Sequence, residues 1–325
     1  SVQSFRKRII FMSYSLFICK ITAYRGNDKR KWTFLLSFRP SLCTFACMKH
    51  ATAILLIGII LLTGGCRNQP PVAFQEVVSL PFTPVKNQGN ESLCWAYAML
   101  ATIETEHICR GDSVNLSPYY IKRLVGKQRQ RGMGHSLLRM MANKGIVPFD
   151  TYPDSTHDQL PLPQWVFMLG ARYTPQEFAH SVCGPEEYMA VTSDPTQPYG
   201  KMIVADYPDN WERETFLNVP QDSLVAIVLR ALHHRHPVCW EGDISNSGFS
   251  FRSGIADHTT SSRPDDDHCM TIIGLARHPD GRLFFKMKNS WGTDNPYGGM
   301  VYMSQEYLRC CTVALYLTRE AYLGK

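Results

Sequence analysis

The stretch 84-PVKNQGNESLCWAYAMLATIETEHIC-109 decides the reading of this chain. A polar, glycine-containing lead-in stops at Cys94. A helical run begins there, with Trp95, Ala98, Met99, Ile103 and Ile108 at apolar positions, Thr102 interrupting them and Gly111 beyond the end. So long and apolar a helix is predicted to lie buried at the centre of the fold. Its first residue is a thiol, and the unpaired N–H groups and dipole of a helix N-terminus favour thiolate over thiol. Gln88, just upstream, offers a side-chain N–H donor on a loop that can fold back beside the sulfur. A lone cysteine before a helix is ordinarily a small buried hydrophobe. Reading it as a nucleophile therefore requires partners from elsewhere in the chain.

Downstream, Ser117 and Pro118 form an N-cap and N1 pair for a second helix to about Val125. A basic, glycine-rich loop, 126-GKQRQRGMG-134, leads to a third helix, 135-HSLLRMMANK-144, stopped by Gly145 and Pro148. Residues 151–218 are broken by prolines, with short strands predicted at 187-EYMAVTS-193 and 201-KMIVADY-207. Asp222 opens a helix over 223-SLVAIVLRALHH-234. After Pro237 the character changes to strands. These are 237-PVCWEGDI-244, a hairpin of 268-HCMTIIGLAR-277 and 282-RLFFKMKNS-290 about 278-HPDG-281, then 299-GMVYMS-304 and 311-CTVALYLT-318. Helices first and strands last is an α+β order. It is not the alternation of a dinucleotide-binding fold, and no glycine loop stands in the strand-turn-helix context that phosphate binding requires.

The hairpin supplies the missing partners. His268 opens one strand and Asn289 lies near the end of the other, so the fold can make them neighbours. Asn289 could then accept the imidazole N–H and fix its tautomer. An imidazole so held and facing Cys94 would form a thiolate–imidazolium pair able to attack an acyl carbon. The oxyanion would be held by Gln88 and the Cys94 backbone N–H, and His268 would protonate the leaving amine and then activate water.

Gln88, 94-CWAYA-98, His268 and 289-NSWG-292 together resemble the four active-site blocks of the papain-like cysteine peptidases (the C1 family). Within them, 85-VKNQG-89, 145-GIVP-148, 240-WEGDIS-245, 265-DDDHCMTIIGLA-276, 287-MKNSWGTDN-295 and 301-VYMSQEYLR-309 are most similar to the bleomycin hydrolase or aminopeptidase C branch, in its short exported form. The resemblance covers residues 76–325. It implies a two-subdomain fold: a helical part over about 90–235, an antiparallel, β-barrel-like part over about 236–320, and an active-site cleft between them. It implies Cys94 as nucleophile, His268 as base and acid, Asn289 as its orienter and Gln88 as oxyanion donor. Trp291 would shield the His–Asn pair and Trp95 would pack beside the sulfur. Trp240, Glu241 and Asp243 are candidates for contact with a peptide substrate, and Glu91 places a charge near the thiolate that is either solvated or meets a substrate amine. In that branch a C-terminal segment, here 319-REAYLGK-325, can enter the cleft and impose aminopeptidase action. The alternatives are an endopeptidase, a transamidating hydrolase, or a peptide-binding protein without turnover. The chemistry calls for no cofactor and no metal, and 233-HHRH-236 reads as a basic helix cap.

The front of the chain reads as processing information. Residues 1–49 hold ten Lys and Arg against Asp28 alone, so the overall charge of +6 becomes −3 for residues 50–325, and the body of the chain has no electrostatic case for a nucleic-acid partner. Residues 48–65, MKHATAILLIGIILLTGG, run from a basic start through an apolar core to small residues before Cys66. This resembles a bacterial lipoprotein signal, with Thr63 where leucine is usual. It implies lipidation of Cys66, a membrane partner through that lipid, and an exported, periplasm-facing place in the cell envelope. Residues 66–75 then read as a tether, and residues 1–47 as sequence upstream of a true start at Met48. Disulfide connectivity and self-association are not set by the spacing.

Overall fold

In a computed structural model of the chain, residues 71–126, 131–168, 170–257 and 264–325 are described, together with the backbone of three short upstream strands. Those strands, Arg8–Ile9, Lys20–Arg25 and Trp32–Ser37, pair antiparallel within a unit of their own, Ser1–Gln69. The remainder, Pro70–Lys325, is the second unit.

The helix predicted from Cys94 runs Cys94–Cys109, and every residue from Trp95 to Glu106 is buried. A helix apolar on all sides has no face to give to solvent. It packs on the hairpin strand His268–Arg277 on one side and on the helix Gly134–Lys144 on another. Its two buried carboxylates are matched, because a buried charge without partners costs several kcal/mol. Glu104 accepts from Lys86 Nζ at 2.6 Å, from Leu116 N at 2.7 Å and from the Thr83 hydroxyl. Glu106 meets His236 Nδ1 at 2.8 Å and the Arg110 guanidinium at 2.9 Å. The second helix is Pro118–Val125, and Ser117 Oγ accepts from Tyr120 N at 3.1 Å as its cap.

The main sheet runs, from one edge to the other, through Phe249–Ser250, Ile255–Ala256, Met300–Ser304, Leu283–Lys288, His268–Arg277, Val238–Gly242, Thr312–Thr318, Tyr188–Thr192, Thr215–Asn218 and Met202–Val204. The strand Gln75–Ser79 pairs beside this path with His268–Arg277. The barrel-like second part expected from the family resemblance is therefore corrected to an open sheet. Closure needs first and last strands that pair along a common length with a fixed stagger. Here the last strands, Phe249–Ser250 and Met202–Val204, are two and three residues long and lie at opposite edges. Nor is the sheet confined to the later residues. Tyr188–Thr192, Met202–Val204 and Thr215–Asn218, all from the stretch assigned to the helical part, join it because Tyr188–Thr192 pairs with Thr312–Thr318. One core lies around the Cys94–Cys109 helix, and a second between the sheet and the helix Gln221–His233.

The predicted signal segment, Cys66 and the start of the tether lie outside the described residues. Among the described residues, no helix is long and apolar enough to cross a membrane. The membrane partner, the lipoprotein character and the envelope location expected from the front of the chain are corrected accordingly: the described fold supplies no element that carries them.

Candidate active site

Two backbone features bring the site together. The hairpin register pairs Thr271 with Lys288, which carries His268 and Asn289 to the same end. Beyond Asn289 the chain turns at Gly292, in the left-handed region at φ 72°, where a side chain would be strained. Gly292 N then donates to Lys86 O at 3.2 Å, and Asn87 bridges to Trp291. The Gln88 loop is thereby fastened alongside the hairpin end.

His268 Nε2 lies 2.8 Å from Asn289 Oδ1, and both residues are buried. Asn289 Oδ1 has no proton, so the ring nitrogen must donate, which leaves Nδ1 for Cys94. The Trp291 ring covers the imidazole with centroids 4.5 Å apart, and is itself braced edge-on by Phe251 at 5.3 Å. Water is thus kept from the His–Asn bond. Gln88 is held from both ends: its Oε1 accepts from Ser290 Oγ at 2.6 Å, and its Nε2 donates to Glu91 O at 2.6 Å. An amide nitrogen has two hydrogens, so one remains to face a substrate oxygen.

Cys94 begins its helix, and its thiol is held well below the ordinary thiol range. The largest cause is the Cys269 thiol, which bonds to the Cys94 sulfur; the His268 imidazole acts next, by hydrogen bond and by charge, against the opposing effect of burial. Burial pushes Cys269 well above that range, so it stays protonated and can donate to a Cys94 thiolate. Sequence reasoning passed over Cys269, although it directly follows His268. Ser290, inside 289-NSWG-292, was likewise passed over as the anchor of Gln88.

A cavity of about 130 Å³ opens on Cys94, lined by Gln88, Trp95, Glu241, Asp266, His268 and Trp291 among others. Of the three residues proposed for substrate contact, Glu241 lines it. Trp240 is wholly buried in the second core, its Nε1 donating to Thr312 Oγ1 at 2.9 Å. Asp243 Oδ1 accepts from Ser245 N and Oγ, each at 2.8 Å, and so fixes its own loop. Glu91 is paired with Lys122 at 3.0 Å. The segment after the last strand forms the helix Arg319–Leu323 and turns away toward the helix Gln221–His233. There Arg230 donates to Tyr322 O at 3.0 Å, and His236 Nε2 meets Lys325 O at 3.2 Å. His236 is therefore a buried partner of Glu106 and not a helix cap. All described cysteines from Cys94 onward are free thiols.

A fold with helices and an open sheet, carrying a depressed thiol beside an oriented imidazole, describes the class of the cysteine peptidases. The chain matches the papain family of cysteine proteases over residues 74–319, and it belongs to that family. Cathepsin J of Mus musculus is 24% identical over 244 residues, 71% of this chain and 60% of that protein. Aminopeptidase C of Lactobacillus delbrueckii subsp. lactis is 24% identical over 160 residues, 41% of this chain and 36% of that protein. The chain spans about 60% of the length of the cathepsins it matches. In fold it is similar to the crystal structure of PepW from Lactobacillus rhamnosis HN001, with a TM-score of 0.62 at 14% identity over 86% of this chain and 93% of that one.

Proposed function

We propose that this protein hydrolyses peptide bonds with Cys94 as nucleophile, His268 as acid and base, Asn289 as orienter and Gln88 as oxyanion donor. The observation that carries the reading is the buried 2.8 Å bond from His268 Nε2 to Asn289 Oδ1, in a site where the Cys94 thiol is depressed. The Cys94 thiolate adds to the carbonyl carbon. The oxygen takes the electron pair and is held by a Gln88 Nε2 hydrogen and the Cys94 N–H, which as a first-turn donor has no intrahelical acceptor. His268, as imidazolium, gives its Nδ1 proton to the amine nitrogen as the C–N bond breaks, leaving a thioester on Cys94. It then takes a proton from water, whose oxygen attacks the thioester carbon, and the C–S bond breaks to restore the thiolate.

The similarity to aminopeptidase C supports removal of residues from a peptide N-terminus as the finer reading. Endopeptidase action is favoured by one observation: residues 319–325 are tied to Arg230 and His236, away from the residues that line the cavity beside Cys94. An irreversible thiol-directed peptide probe should label Cys94 and require His268. Folded, reduced protein that takes up no label would sink the catalytic reading. Analysis of the products cut from a peptide library separates the two finer readings, since only an aminopeptidase releases single residues from free N-termini.

A further inference from the structure

The cavity beside Cys94 contains more carboxylate than its catalytic groups need. Glu91, Asp209, Glu241, Asp266 and Asp267 all line it. Three of them are answered. Glu91 pairs with Lys122 at 3.0 Å, Asp209 with Arg131 at 2.6 Å, and Asp267 Oδ1 accepts from Ile244 N at 2.9 Å. Glu241 and Asp266 differ. Glu241 is fully buried on the strand Val238–Gly242, directly opposite Cys269 in the register. Its Oε2 accepts from Tyr316 Oη at 2.5 Å and from Gly134 N at 3.3 Å, while its Oε1 is buried with no hydrogen bond of ordinary geometry, and the Cys269 thiol and the Asp266 carboxyl stand close to the group. Asp266 Oδ2 is also buried without such a bond, and Arg131 reaches the Asp266 backbone oxygen, at 2.7 Å, rather than satisfying that atom.

A fully buried carboxyl and a half-buried one, each with an open acceptor atom and side by side in the cavity of a nucleophile, are costly unless something supplies donors and positive charge. Burial, and then the nearness of Asp266, push Glu241 well above the carboxylate range. Burial, with Asp209 next, pushes Asp266 up to about 7. The two carboxyls lie within hydrogen-bonding reach of each other, so either carries its charge against the other. An alkylammonium or guanidinium group would bring both the charge and several N–H donors to the open oxygens.

We propose that the Glu241 and Asp266 carboxyls receive a cationic group of the substrate, so that this site selects peptides carrying a positive charge close to the bond to be cut. The inference rests on the peptidase reading above and names the substrate class for it. A lysine or arginine side chain and a free α-amino group share the required chemistry.

The test is kcat/KM of the full chain on matched fluorogenic peptides. One arm uses N-acetylated peptides in which lysine, arginine or uncharged norleucine is moved through the residues flanking the scissile bond. The other compares free with acetylated N-termini in peptides free of basic residues. The expected result is a preference of about tenfold or more for the charged member in one arm, the size set by charge-assisted hydrogen bonds. D266N and E241Q should each erase most of that ratio. Glutamine at 241 can still accept from Tyr316, and the wild-type ratio stands on its own if either variant fails to fold. Cleavage of charged and uncharged peptides at equal rates in both arms overturns the inference and leaves the peptidase reading intact. A protein that cuts no peptide and takes no thiol probe fails at the peptidase reading and removes this inference with it.

Discussion

Asn289→Ala isolates the contact on which the proposed chemistry depends. Asn289 Oδ1 accepts twice, from His268 Nε2 and from Ser290 N, each at 2.8 Å in a buried setting. During acylation the ring is an imidazolium, so the first of these is a hydrogen bond to a charged group, worth about 1.5–3 kcal/mol. If it is fully expressed in the transition state, kcat/KM falls by about 10- to 150-fold, at about 1.4 kcal/mol for each factor of ten. The Ser290 N–H loses its acceptor too, and leaving a buried donor unsatisfied costs about 1–3 kcal/mol of folding stability. The assay is therefore steady-state cleavage of a fluorogenic peptide well below the variant's unfolding midpoint, with the midpoint measured alongside. Asn289→Asp keeps an acceptor at the same place and should recover part of the loss. Folded Asn289→Ala with kcat/KM within about twofold of the parent would refute the argument, because the ring would then be oriented without this bond.

Because Cys269 and His268 hold Cys94 below the ordinary thiol range of about 8.5, iodoacetamide should alkylate it well below that pH. The rate should decline only as pH falls through the lowered value. Cys269→Ala should move that inflection upward, and an unmoved profile would remove Cys269 from the account. Ser290→Ala releases Gln88 Oε1 from a 2.6 Å bond and should lower kcat by about 2- to 12-fold, for a neutral bond of about 0.5–1.5 kcal/mol, with KM little changed. A change in KM alone would show that Gln88 serves binding and not the oxyanion. His236 is held above its ordinary value by Glu106, so its contribution to stability is complete below the unfolded value of about 6.5 and is lost as pH rises through the raised folded value. The urea midpoint of the parent should fall across that window relative to His236→Gln, and parallel profiles would contradict the linkage.

Much of the fold could be read where signals are local. Ser117 and Pro118 announce a helix because the cap and the missing N–H act within one turn. His268 and Asn289 could be paired because a hairpin imposes its geometry on its own two strands. The helix Pro175–Val182 went unread although Thr174 and Glu177 form a capping box, a sequence-level signal lost among prolines. The failure of the sheet to close was not legible. It depends on which strands become edges, and Tyr188–Thr192 reaches its partner Thr312–Thr318 across more than a hundred residues. Glu104 and Glu106 appear on sequence as polar intrusions into an apolar helix. Their partners, Lys86, Leu116, Arg110 and His236, come together only once the chain has folded. The same holds for Glu241: one residue in 240-WEGDIS-245 could be suspected, but its crowding by a second carboxyl depends on Asp266 arriving beside it.

The open sheet has a mechanical consequence. The strand Thr312–Thr318 is bonded on one edge to Val238–Gly242, which carries Glu241, and on the other to Tyr188–Thr192, and the Cys94–Cys109 helix rests on the neighbouring strand His268–Arg277. A swinging jaw needs a line across the molecule that few backbone bonds cross, and the continuous sheet leaves no such line between the strands that carry Glu241 and His268. The spacing of sulfur and imidazole therefore follows from how one helix seats on one strand of a continuous sheet, and on the proposed reading a peptide would meet it already formed.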